Sequence, residues 1–108
     1  MIKKQASCQD EFVPTPSVYF EIELLDEDIS QTIHLRLHNF LNTTDLEFLT
    51  IKQIELNGIS VKDFFRETHS SQIELAFEVP LEVQEVESVT IVIGGDDIVS
   101  GASKYKFN

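Results

Sequence analysis

Apolar residues recur at every second position through most of this chain. The runs are Val18, Phe20, Ile22 and Leu24; Ile33, Leu35 and Leu37; Ile73, Leu75, Phe77 and Val79; and Val89, Ile91 and Ile93. A period of two sends one set of side chains to a core and the alternate set to water, the pattern of antiparallel strands. The first strand is expected over 17–25, with Tyr19, Glu21 and Glu23 outward, and the second over 31–40, with His34, Arg36 and His38 outward. A third is expected over 46–56. Its alternation breaks phase between Ile51 and Ile54, which predicts a bulge near Lys52-Gln53.

Asn57-Gly58 is the strongest short hairpin signal in the chain. It predicts a fourth strand, 59–65, pairing back through Ile59 and Val61 and ending at Phe64-Phe65. Arg66–Ser71 reads as a polar loop. Strands at 72–79, 86–93 and about 98–107 follow, the first stopped by Pro80 and the second by Gly94-Gly95-Asp96-Asp97. Residues 1–16 read as a polar, flexible leader ending in Pro14-Thr15-Pro16, and 17–108 as one domain. Residues 60–67 and 81–87 offer at most a single helical turn each. Short strands separated by turn signals in about 100 residues indicate an all-β, antiparallel β-sandwich of about seven strands. The immunoglobulin-like arrangement is the natural expectation, without the disulfide and tryptophan of antibody domains.

Charge narrows the partners. Nineteen acids face eight bases, for a net charge of −11, and the bases are scattered. Nucleic-acid binding requires a concentrated basic footprint, and an anionic membrane surface would repel this domain. A basic protein or a cation would be attracted. Trp is absent, which removes the indole platform that sugars stack on. The single cysteine, Cys8, allows no internal disulfide. Ala6-Ser7-Cys8 faintly resembles the small residues before a bacterial lipidation cysteine, but no apolar stretch precedes it. The expected location is cytoplasmic if the chain is full-length, and surface or secreted if a signal was trimmed. Asn42-Thr43-Thr44 matches the glycosylation acceptor pattern, which arises often by chance.

The candidate chemistry is thin. If strands alternate in direction, Asp26-Glu27-Asp28, Asn57-Gly58 and the 80–86 connection gather at one end, and Leu41–Asp45, Arg66–Ser71 and Gly94–Asp97 at the other. The acidic turns offer oxygens to Ca²⁺ but match no known loop spacing. His34 and His38 lie four residues apart on one strand. That separates them by roughly 13 Å, too far to share a zinc ion. His69, in Thr68-His69-Ser70-Ser71, lacks a nucleophile elbow, and only Asp96 or Asp97 offers it a partner.

No catalytic residues, metal ligands or cofactor are therefore assigned. The candidate partner-binding residues are His34, Arg36, His38 and Phe40 on one outer strand face, together with Phe64 and Phe65. Neighbours in a strand point opposite ways, so only one of Phe64 and Phe65 is expected in the core. The sequence favours a non-catalytic module that binds a protein, basic or a second copy, with no nucleic acid and no membrane. A loop-based module for calcium or carbohydrate is the alternative.

Overall fold

A computed structural model describes residues 4–11, 19–27, 32–41, 45–95 and 98–107. Nine strands follow one another among the described residues: β1 (Lys4–Glu11), β2 (Tyr19–Glu27), β3 (Thr32–Leu41), β4 (Leu49–Leu56), β5 (Ile59–Ser60), β6 (Phe64–Thr68), β7 (Gln72–Glu78), β8 (Ser88–Gly95) and β9 (Ile98–Lys106). Every pairing is antiparallel. Two four-stranded sheets, β6-β7-β3-β2 and β5-β4-β8-β9, pack face to face as a sandwich. β1 joins them. Its first half pairs with β2 and its second half with β9, with a register shift between Cys8 and Asp10.

The alternating residues form the core. Ile22, Leu24, Ile33, Leu35, Leu37, Ile73 and Leu75 from one sheet are fully buried, as are Leu49, Ile54, Leu56, Val89 and Tyr105 from the other. Phe20 sits between the rings of Phe40 and Tyr105, at centroid distances of 5.1 Å and 5.2 Å. The phase break in β4 is a bulge. The register with β8 shifts between Ile51 and Gln53, and Lys52 and Gln53 are both exposed between buried Ile51 and Ile54. Asn57 and Gly58 form the tight turn between paired Leu56 and Ile59, with φ of 53° and 84°. Positive φ at both central positions is what a type I′ hairpin needs.

Several expectations are corrected. The polar leader placed at 1–16 contains β1, which shows no apolar alternation because its place depends on backbone pairing with two neighbours. The strand expected over 59–65 divides. β5 pairs with β4 for two residues, and the chain then crosses to the other sheet, where β6 pairs with β7. Arg66–Thr68 belongs to β6, so the expected loop shrinks to 69–71. Residues 46–48, expected as strand, make a 3-10 turn whose N-cap Asp45 accepts a hydrogen bond from the Glu47 amide at 2.9 Å. The 60–67 stretch makes no helical turn, and 81–87 keeps only the turn in which the Val83 N–H donates to the Pro80 carbonyl at 3.0 Å.

The sorting of loops to two ends holds among the described residues. At one end Asn57 bonds to Glu85, Glu87 and Ser88. At the other, Asp45 and Leu46 face Ser70 and Ser71 across a cleft. Asp28, Asp96, Asp97 and Asn42-Thr43-Thr44 lie outside the described residues, as do the side chains of Cys8, Asp26 and Glu27.

Candidate functional site

The outer face of the β2-β3-β7-β6 sheet gathers most of the candidate residues. Register fixes the neighbours: Glu21 and Glu23 on β2 stand opposite His38 and Arg36 on β3, and Arg36 stands opposite Glu74 on β7. Glu74 in turn opposes Glu67 on β6, and Phe65 shares the row of Ala76 and His34. These residues come from four separate stretches of sequence, and the sheet order turns them into one surface.

The basic groups of β3 are held by acids from both sides. His38 Nε2 lies 2.7 Å from Glu23 Oε1, and Arg36 Nη1 donates to Glu23 Oε2 at 3.4 Å. Glu23 is only 5% exposed although it points away from the core, so these neighbours screen it. A buried carboxylate is tolerated where cations and hydrogen bonds surround it. Arg36 Nε is itself buried without a hydrogen-bond partner among the described residues. On the far side His34 Nε2 lies 4.0 Å from Glu74 Oε1. His34 and His38 thus serve different carboxylates, in keeping with the separation read from their spacing.

His69 joins the same face through the β6–β7 turn. Its backbone N–H donates to the Gln72 carbonyl at 2.8 Å, closing the turn over Ser70-Ser71. Its Nε2 then lies 3.2 Å from Glu74 Oε2 and 3.5 Å from Glu67 Oε1. The sequence suggested Asp96 or Asp97 as partners for His69; both lie outside the described residues, among which the carboxylates beside it are those two glutamates. Outward parity at Glu67 and Glu74 was readable in principle, but only strand pairing shows that they are adjacent.

The phenylalanines separate. Phe65 is 83% exposed on the outer face, whereas Phe64 packs against the core. Phe40 departs from the expected outer face. Asn39 adopts φ of 55°, and between the flanking pairs β2 advances two residues, Tyr19 to Glu21, where β3 spans three, Leu41 to His38. This bulge reverses the alternation and turns Phe40 onto Phe20. The displaced Asn39 side chain donates to Glu21 Oε2 at 3.1 Å.

Between β6 and the opposite sheet lies Arg66, on the inward side of its strand. It donates to the carbonyls of Leu49 and Leu46 and to Thr68 Oγ1, linking the two sheets at their open side. Burial lowers its pKa from the usual arginine value. The cleft at the loop end has a volume of about 460 Å³ and is lined largely by polar side chains, including His38, Asp45 and Gln72. Ligand pockets are more often apolar with few polar groups. No helix among the described residues is long and apolar enough to cross a membrane. Comparisons with protein-family models, with curated proteins and with solved structures find no match.

Proposed function

We propose that this chain is a non-catalytic, acidic interaction module that docks a basic protein on the outer face of the β2-β3-β7-β6 sheet. One observation carries the reading: Phe65 is 83% exposed on β6, the edge strand of that sheet. An exposed phenylalanine at a strand edge offers apolar contact next to backbone groups free to pair with another chain. Glutamates 21, 67 and 74 on the same face, with the net charge of −11, favour a cationic partner. The same charge opposes stacking of two copies, so a basic protein ranks above self-association.

A photo-crosslinking residue in place of Phe65, compared with the same residue in place of exposed Gln84 at one end of the sandwich, tests this. Crosslinks to basic polypeptides are expected from position 65, weakening as salt rises. Equal yields from the two positions, or yields indifferent to salt, would sink the proposal.

The immunoglobulin-like arrangement belongs to the same reading. The order β2-β3-β7-β6 against β5-β4-β8-β9 supports it, since these correspond to strands A-B-E-D and C′-C-F-G. An experimental structure with β6 paired to β4 instead of β7 would overturn it.

A further inference from the structure

The geometry points to a divalent transition-metal site, of the zinc class, on the β6–β7 hairpin, with Glu67, His69 and Glu74 as its protein ligands. One ligand atom from each of these residues falls within 4.8 Å of the others. In a tetrahedral zinc site with bonds near 2.0–2.1 Å, neighbouring ligand atoms stand about 3.3 Å apart. His69 Nε2 stands 3.2 Å from Glu74 Oε2 and 3.5 Å from Glu67 Oε1, so two of the three edges of such a site are already in place.

A second observation is independent of those distances. Glu67 and Glu74 are direct cross-strand partners. Like charges directly opposite on one sheet face repel and cost stability unless a positive charge lies between them. Arg36, the nearest cation along the row, is turned toward Glu23 on the other side of β3. His69 Nε2 lies between the two carboxylates, and a dication bound there would draw all three ligand atoms onto one centre. His34, 4.0 Å from the other oxygen of Glu74, falls outside this group of ligand atoms, so water takes the fourth position. The mixed imidazole and carboxylate donors suit zinc over calcium or magnesium, which take oxygen ligands alone. With Glu67 on the exposed rim, the ion would enter and leave without opening the fold.

The test uses the whole chain freed of metal by chelation. Zn²⁺ is titrated calorimetrically and Co²⁺ by its visible spectrum, which is intense only for tetrahedral coordination. The expected result is one ion per chain, a tetrahedral Co²⁺ spectrum, and a melting temperature that rises with Zn²⁺ by mass action. His69→Ala and Glu74→Gln should each weaken binding at least tenfold, while His38→Ala on the same face leaves it unchanged. Far-UV circular dichroism establishes that each variant is folded, and Glu67→Gln, at the exposed rim, gives a reading if Glu74→Gln fails to fold. An absence of binding at millimolar Zn²⁺, an octahedral spectrum, or equal losses from His38→Ala and His69→Ala would overturn the proposal.

Discussion

Asn57 performs two separable tasks, and substituting it measures both. Its φ of 53° lies in the left-handed region, and its side chain makes three hydrogen bonds across the end of the sandwich. Nδ2 donates to the Glu85 carbonyl at 2.6 Å, and Oδ1 accepts from the amides of Glu87 and Ser88 at 2.9 and 3.0 Å. These bonds anchor the crossing from β7 where it enters β8. Asn57→Gly keeps the turn conformation and removes all three. At about 0.5–1.5 kcal/mol each, taken near the lower end because the site is partly open to water, the loss is about 2 kcal/mol. Asn57→Ala removes the same bonds and adds a left-handed backbone penalty of about 1 kcal/mol. At about 4 °C per kcal/mol for a domain of this size, melting temperature should fall by about 8 °C for glycine and about 12 °C for alanine. Urea titration followed by far-UV circular dichroism supplies the free energies, with the slope checked for constancy. A glycine variant within 0.5 kcal/mol of the parent would refute a stabilising role for the amide. Alanine no worse than glycine would refute the backbone term.

Other substitutions probe the rest of the frame. Arg66→Met leaves the Leu46 and Leu49 carbonyls without their charged donor and should cost about 2–3 kcal/mol by chemical denaturation. A change below 0.5 kcal/mol would show that water replaces the guanidinium at no cost. Gly95→Ala should be at least as damaging, because a Cβ there would clash with the Phe48 carbonyl oxygen and φ stands at 139°. A fall of at least about 2–3 kcal/mol or poor folding is expected, and a neutral result would mean that the backbone at Gly95 moves away from Phe48 at little cost. Phe65→Ser should leave stability within about 0.5 kcal/mol of the parent, since the ring is outside the core. A larger loss in thermal melting would mean that the ring supports the fold rather than a partner.

The sandwich was legible because alternation records which side of a strand faces the core. Ile22, Leu35, Leu75 and Ile91 are buried as their parity requires, and the phase break at Lys52-Gln53 marks a real bulge. Asn57-Gly58 marks its turn because few residues tolerate positive φ at two successive positions. Phe65 follows the same rule once Phe64 is assigned to the core. Phe40 breaks it, since one residue in the left-handed conformation at Asn39 reverses the side chain that follows. That reversal leaves no apolar pattern of its own; Asn39 is its only local sign.

Local pattern therefore determined the strand class, most of the core and the division of loops between two ends. Only the tertiary structure decided which strands are neighbours. β1 enters through backbone pairing with β2 and β9, for which a polar sequence serves as well as an apolar one. The crossing between β5 and β6 moves Phe65, Glu67 and His69 onto the sheet that carries Glu74 and His34. Side-chain periodicity is set within one strand, whereas a charged cluster is assembled between strands. The acids around Arg36, His38 and His69 became visible only when residues distant in the chain were brought into register.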